Sequence, residues 1–208
     1  MIITKFILID SVLGLVGFFL FFMLQRGKGQ SPLFGKLHVN KRVDQTSIRL
    51  PSLEELLEKE VLAKKEGSGI DVGSLIGLWK FVSVWKQGTD DEDLISSSLL
   101  RLFTASLEVS KNETNKELLR LDIINSIQFG ALAIRFVGSG ELKGSQPLLP
   151  FFFERIELKL GANALFSRSL DIPDEKDSPF FALIAMNDSD QWLSARGRGG
   201  GLALWSKG

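Results

Sequence analysis

From Trp79 onward, apolar and polar residues alternate along the chain with a period of two, which is typical of half-buried β-strands. The clearest alternating stretches are residues 103–110, 119–129, 132–136 and 155–160, and short apolar runs follow at 180–186, 192–195 and 202–205. Gly130 and the cluster Gly138-Ser139-Gly140 separate several of these stretches, and we interpret them as turns. No strand–helix–strand alternation is visible, so a Rossmann-type domain is not expected. The pattern predicts an antiparallel β-barrel or β-sandwich.

A helical pattern precedes the strands. Pro51 and Ser52 open it, and Glu55 stands at the position that completes a capping box with Ser52. The apolar residues at helical spacing are Leu53, Leu56, Leu57 and Leu62. We expect this short helix to pack against the β-domain or to close one end of it. A helix that binds a partner protein is the alternative.

The N-terminal region is apolar without alternation. Residues 6–24 are interrupted only by Asp10, and at about 1.5 Å per residue they approach the roughly 30 Å thickness of a bilayer core. We therefore predict a transmembrane anchor helix within residues 1–26. The alternatives are a secretory signal peptide, which is disfavoured because Met23-Leu24-Gln25-Arg26 offers no small-residue cleavage site, and a buried or peripheral helix.

Residues 27–50 mix Gly, Ser, Pro, Lys and Arg without periodicity, and we interpret them as a linker between the anchor and a domain over residues 51–208. The basic residues of this linker either contact anionic lipid headgroups or belong to a soluble tether. Because positive charge follows the apolar run more than it precedes it, the positive-inside rule predicts a cytoplasmic or stromal C-terminal domain.

Composition excludes several kinds of chemistry. The chain has 25 basic and 25 acidic residues, so a broad basic surface for nucleic acid is not expected. It has no cysteine and one histidine, His38, which excludes thiolate and histidine-cluster metal sites and leaves little room for a histidine-based catalytic triad. We expect no metal, no cofactor and no enzymatic activity, although a pair of carboxylates brought together by folding remains open.

The C-terminal stretch predicts how the barrel closes. Arg196-Gly197-Arg198-Gly199-Gly200-Gly201 is followed by the apolar run of residues 202–205, and Gly77-Leu78-Trp79 opens the first strand. The glycines permit a tight turn with positive φ. We expect this turn to join the last two strands and an arginine to cover the ring of Trp79 in a cation–π contact. A contact between the turn and an anion is the alternative.

Three short motifs, taken in order, resemble the plastid lipid-associated proteins of cyanobacteria and chloroplasts, also called fibrillins or plastoglobulins. They are Leu75-Ile76-Gly77-Leu78-Trp79, Leu149-Pro150-Phe151 and the Arg196–Gly201 turn with its apolar strand. The family's Tyr-Leu-Asp-Glu-like stretch is absent because the chain has no tyrosine, which indicates a divergent member. The resemblance implies a lipocalin-like barrel that binds a small apolar molecule, either a lipid, a carotenoid or a prenylquinone, at a thylakoid or plasma membrane.

The sequence thus predicts a mainly β protein: a lipocalin-like antiparallel β-barrel with a short N-terminal helix and an N-terminal transmembrane helix. Aromatic residues on barrel strands either line a pocket or fill the interior. The candidate ligand-binding residues are Trp79, Phe81, Phe136, Phe151, Phe153, Trp192, Arg196 and Trp205. We expect a membrane-tethered binding protein for a hydrophobic small molecule. The alternative is a structural or scaffolding protein with a filled barrel that binds a membrane-protein partner.

Overall fold

A single antiparallel sheet dominates the computed structural model, which describes residues 49–86, 92–112, 120–144, 147–187, 189 and 191–208. The strands found in these ranges are β1 (Gly77–Trp85), β2 (Ser106–Lys111), β3 (Arg120–Phe129), β4 (Leu132–Glu141), β5 (Leu148–Leu160), β6 (Asn163–Ser169), β7 (Phe180–Asn187), β8 (Trp192–Gly197) and β9 (Leu202–Lys207). The helices are α1 (Leu53–Glu66), the short α2 (Val72–Leu75) and α3 (Leu94–Leu102).

The sheet closes into a ring. Its strand order is β4-β3-β2-β1-β9-β8-β7-β5-β6, and β4 also pairs with β5. That extra pairing joins the two ends of the order, so β6 remains outside the ring and is held by β5 alone. The prediction of a mainly β antiparallel structure is confirmed, and the closed ring is the barrel rather than the sandwich.

One face of each strand points into the ring. Leu107, Ile123 and Leu193 are almost completely buried inside, whereas polar residues such as Lys80 and Glu108 alternate with them on the outer face. The last two strands are joined by the glycine turn, in which Gly200 has a φ of +83°. This conformation is the one that the run of glycines predicted.

Helix α1 begins as predicted but is rotated relative to its predicted apolar stripe. Ser52 and Glu55 form the capping box. The buried face follows Leu56, Glu60 and Ala63, while Leu57 and Leu62 of the predicted stripe are exposed. Leu56 packs on the outer face of the barrel, against a cluster made of Ile184, Trp192, Leu202 and Leu204. The helix therefore packs against the wall and does not close an end.

One prediction about a strand interruption is wrong. Gly138-Ser139-Gly140 is not a turn but part of β4. Glycine is required at residue 138 because the backbone of β5 passes so close that a Cβ atom there would lie 1.8 Å from the carbonyl oxygen of Phe152. Pro150 lies within β5. The pairing of β5 with β4 ends at Gly140 and Phe151, so no residue of β4 lies opposite Pro150 to require the N–H that proline lacks.

The predicted anchor within residues 1–26 and almost all of the predicted linker lie outside the described residues. Among the residues that the structure does describe, none of the helices is long and apolar enough to cross a membrane.

Candidate functional site

Aromatic rings form a continuous row across the inside of the barrel. The row runs Phe136, Phe153, Phe151, Phe181 and Trp205, with successive ring centroids 5.4, 5.4, 5.0 and 5.5 Å apart. The residues come from β4, β5, β7 and β9, whose inward positions are brought together by closure of the ring. Phe153 and Phe181 are only half-buried, so the row is not sealed along its whole length.

One end of the barrel is closed by the segment that leads into β1. Ile70 and Leu75 pack inside with Trp79, Val109 and Leu121. The indole Nε1 of Trp79 donates a hydrogen bond of 2.8 Å to the carbonyl oxygen of Leu75, which satisfies the one polar atom of that buried ring. Trp79 retains only 1% of its exposure. This closed end is a packed core.

The other end, where α3 joins β1 to β2, has an apolar inner face that is less covered, and we call it the open end. Ile127, Ile134 and Leu158 are neighbours in register on β3, β4 and β5 and share the inner face of the sheet. Ile134 is buried, whereas the other two are half-buried. One step further along the same face, Phe129, Leu132 and Leu160 are 61%, 37% and 49% exposed. The apolar lining thus continues from the core out to solvent; we call Asn125, Ile127, Ile134, Phe136 and Leu158 the mouth.

A single amide lies on this apolar surface. Asn125 of β3 stands between Leu107 and Phe136 in register, and both of those residues are buried inside the barrel. Asn125 is half-buried, and its amide forms no hydrogen bond with another described residue. Since unpaired amides are costly when they lose water, this group is available to a polar atom of a bound molecule.

The eight predicted binding residues do not lie together. Trp79, Phe151 and Trp205 belong to the buried core. Phe81 and Phe153 are half-buried against that core, and Phe136 belongs to the mouth. Trp192 and Arg196 lie on the opposite, outer face of the sheet beneath α1. The inner surface therefore includes six of the eight, and the outer pair forms a different cluster.

Arg196 is held by Glu60 of α1. Its Nε donates to Glu60 Oε1 over 2.7 Å, its Nη2 donates to Glu60 Oε2, and its Nη1 donates to the carbonyl oxygen of Gly200 over 2.6 Å. Lys64 also contacts Glu60, with Nζ 3.0 Å from Oε1. These cationic donors, Arg196 first, hold the pKa of Glu60 below its ordinary value although burial acts in the opposite direction. The outer cluster is thus a charged clamp between α1 and the last turn.

The predicted arginine over Trp79 is wrong. Lys207, the residue opposite Trp79 in the β1–β9 register, places its Nζ 5.3 Å from the centroid of the ring. Arg196 alternates to the outer face and cannot reach the same ring.

Sequence reasoning missed three positions of these clusters, although each had a signal. Asn125 interrupts the apolar alternation of β3 at an inward position. Glu60 stands four residues after Leu56 and three before Ala63, on the buried face of α1. Lys207 follows Trp205 at a spacing of two, which places both on the inner face.

Comparison of the chain with protein-family models and with curated proteins gives no match. The resemblance to the plastid lipid-associated proteins therefore stays a prediction from the motifs.

Proposed function

We propose that this protein is a membrane-tethered, lipocalin-like barrel that binds a hydrophobic small molecule through the mouth. The observation that carries the proposal is the inner apolar surface, which runs without a polar break other than Asn125 from the buried core to exposed residues at one end. A barrel with one closed and one open apolar end suits a ligand that enters end-on.

The position of the ligand follows from burial. Trp79 and Leu121 are so closely packed that a ligand at the closed end would have to displace the core. Four residues of the inner surface are only half-buried, namely Phe81, Phe153, Ile127 and Leu158. A bound molecule therefore contacts the mouth and the nearer part of the aromatic row, which offers flat faces to a conjugated or ring-bearing ligand.

The amide of Asn125 favours ligands that carry a polar group. An amide offers both a donor and an acceptor, so it can bind a carbonyl or a hydroxyl group. Among lipids, carotenoids and prenylquinones, this favours molecules with one such polar group at the end of a long apolar body. A prenylquinone or a hydroxylated carotenoid fits better than an unsubstituted hydrocarbon.

The membrane part of the proposal comes from the sequence. The apolar run of residues 6–24 would hold the chain in a thylakoid or plasma membrane, with the barrel on the cytoplasmic or stromal side. A tethered barrel would take its ligand from the bilayer that holds it. The proposal is for binding and not for catalysis.

A matched pair of substitutions on β5 tests the ligand site. Leu158 faces the mouth, whereas the neighbouring Lys159 points to the outer face. The full-length protein in mild detergent is titrated with a prenylquinone, which quenches tryptophan fluorescence. Leu158→Gln should raise Kd by about tenfold or more, since an amide placed against an apolar ligand costs about 1–3 kcal/mol. Lys159→Gln should leave Kd unchanged.

The runner-up is a scaffolding protein with a filled barrel, which the dense packing at the closed end favours. It predicts that neither a prenylquinone nor a carotenoid quenches the wild-type protein saturably. That result would overturn the binding proposal, as would equal Kd values for wild type and Leu158→Gln.

A further inference from the structure

Two neighbouring hairpin turns at the open end of the barrel lack charge. The β3–β4 turn reads Phe129-Gly130-Ala131-Leu132, and the β5–β6 turn reads Leu160-Gly161-Ala162-Asn163. Residues 123–134 and 160–167 contain no charged side chain at all. Hairpin turns in water usually carry Asn, Asp, Ser or Gly. Each of these turns instead places an alanine after its glycine. We call the two turns together the paired tips.

The paired tips expose large apolar side chains. Phe129, Leu132 and Leu160 are 61%, 37% and 49% exposed, Ala131 and Ala162 are exposed between them, and Leu165 of the adjoining β6 is 57% exposed. Leu132 and Leu160 are opposite each other in the β4–β5 register, so the patch is continuous across the two hairpins. Phe129 is supported from behind by an edge-on contact with Phe103, at 5.7 Å between ring centroids. Contiguous exposed apolar patches mark interaction surfaces.

The backbone of the paired tips is satisfied from within the protein. Gly130 and Gly161 have φ values of +59° and +57°, which is the conformation of a first central residue in a type II′ turn. The amide of Gly161 donates to the carbonyl oxygen of Ala131 over 2.7 Å, and Gln128 Nε2 donates to the carbonyl oxygen of Gly130 over 3.0 Å. Two carbonyls that would otherwise need water are thereby paired, which lowers the cost of leaving water.

A lysine lies next to the paired tips, on the outer face of the sheet. Lys159 precedes Leu160 and points to the outer face, where it forms no ion pair with any described residue. Its long side chain suits a position beside an anionic lipid headgroup, with the apolar tip below it. An apolar end with a cation just behind is the arrangement of interfacial membrane anchors.

We propose that the paired tips insert into the interfacial layer of a lipid bilayer, so that the mouth opens onto the membrane. The inference rests on the proposed function only for the tether. Residues 25–48 separate the apolar N-terminal run from the described domain and span at most roughly 80 Å when extended, which is ample for either end of a small barrel to reach the membrane. Because the paired tips carry no charge, we expect the open end, and not the closed end, to face the membrane.

The absence of cysteine allows a direct test with single labels. Full-length Ala131→Cys, Ala162→Cys and Leu78→Cys proteins are labelled with an environment-sensitive nitrobenzoxadiazole dye. Leu78 is 39% exposed on β1, at the closed end, and serves as the control. The proteins are reconstituted in phosphatidylcholine–phosphatidylglycerol vesicles, with or without chain-labelled doxyl lipid, and quenched from solution with iodide.

The labels at residues 131 and 162 should shift to the blue, lose most of their emission to doxyl lipid and resist iodide. The label at residue 78 should show no blue shift, keep its emission in doxyl lipid and be quenched by iodide. Adding Leu132→Glu and Leu160→Glu to the Ala162→Cys protein should restore iodide quenching, while circular dichroism confirms the β-fold and vesicle flotation confirms that the anchor still holds.

Two outcomes overturn the proposal. If all three labels behave like the one at residue 78, the tips stay in water. If the tip labels resist both iodide and doxyl lipid, and regain iodide quenching on dilution into excess vesicles, they contact a second copy of the chain. Either result can occur while the prenylquinone titration in detergent still shows binding, so a failure of tip insertion is distinguishable from a failure of the ligand site.

Discussion

The two ends of the barrel are built from the same strands and differ in what the connecting segments bring to them. At the closed end, residues 70–75 place Ile70 and Leu75 over Trp79, and the indole nitrogen of Trp79 donates a hydrogen bond. At the open end, short turns of glycine and alanine leave Phe129 and Leu132 exposed. Strand alternation builds one continuous apolar interior, and the connections decide which part of it becomes buried core and which part stays exposed.

The largest expected effect separates the two ends by stability. Trp79→Ala should lower the free energy of unfolding by about 3–5 kcal/mol, because a fully buried indole and its hydrogen bond are lost. Phe129→Ala at the open end should cost less than about 1 kcal/mol, since the ring is largely exposed. Urea unfolding of both variants in mild detergent measures the difference, and equal costs would contradict the division into core and mouth.

The clamp between α1 and the last turn should give the next largest effect. Arg196→Ala should destabilise the protein by about 2 kcal/mol, because it leaves the Glu60 carboxylate buried with Lys64 as its remaining cation. Arg196→Lys should recover only part of the loss, since an ammonium cannot reproduce the bidentate contact. Unfolding midpoints for the two variants test this, and a midpoint for Arg196→Ala equal to that of wild type would show that the clamp does not stabilise the protein.

The same clamp predicts how stability depends on pH. The pKa of Glu60 is lowered from its ordinary 4.5, so its contribution is present above pH 4.5 and is lost as pH falls through the lower folded-state pKa. Wild type should therefore lose more stability between neutral pH and pH values below 4.5 than Glu60→Gln does. Parallel acid titrations of thermal midpoints provide the measurement, and superimposable curves would speak against the pairing.

A smaller effect distinguishes two parts of the open end. Gly200, in the β8–β9 turn, has a φ of +83°, and its carbonyl oxygen accepts a hydrogen bond from Arg196. Gly200→Val should cost at least about 1 kcal/mol more than Gly199→Val, because Gly199 is not in the positive-φ region. Comparing the two melting temperatures tests whether this turn, unlike the paired tips, needs its glycine for conformation.

The fold was predictable from sequence where local rules dominate. Ser52 and Glu55 predicted the start of α1, alternation predicted most of the strands, and the run of glycines predicted the positive φ at the final turn. The errors arise where distant segments meet. The sequence predicts a turn at Gly138, whereas glycine is required there by the close approach of the β5 backbone, which no local pattern reveals. The rotation of α1 likewise follows from a charge pair between residues far apart in sequence.

The candidate site was less predictable than the fold. Aromatic content identified the inner surface through Phe81, Phe136 and Phe153, but it could not separate a filled closed end from an open one. Trp192 and Arg196 were grouped with the interior because the register of β8 against β7 and β9 was unknown. Since one residue of register reverses every side chain, membership of a site depends on pairing that composition does not fix.

The central claim is that the open end holds an apolar molecule, and the most direct measurement is mass spectrometry of what co-purifies with the protein from its native membrane. Wild type and Lys80→Gln, which changes an exposed outer-face residue of β1, should carry one class of prenylquinone, carotenoid or other polar-headed lipid in near-constant ratio to protein. Leu158→Gln should be depleted of the same molecule. Extracts that match bulk membrane lipid in all three proteins would contradict the account.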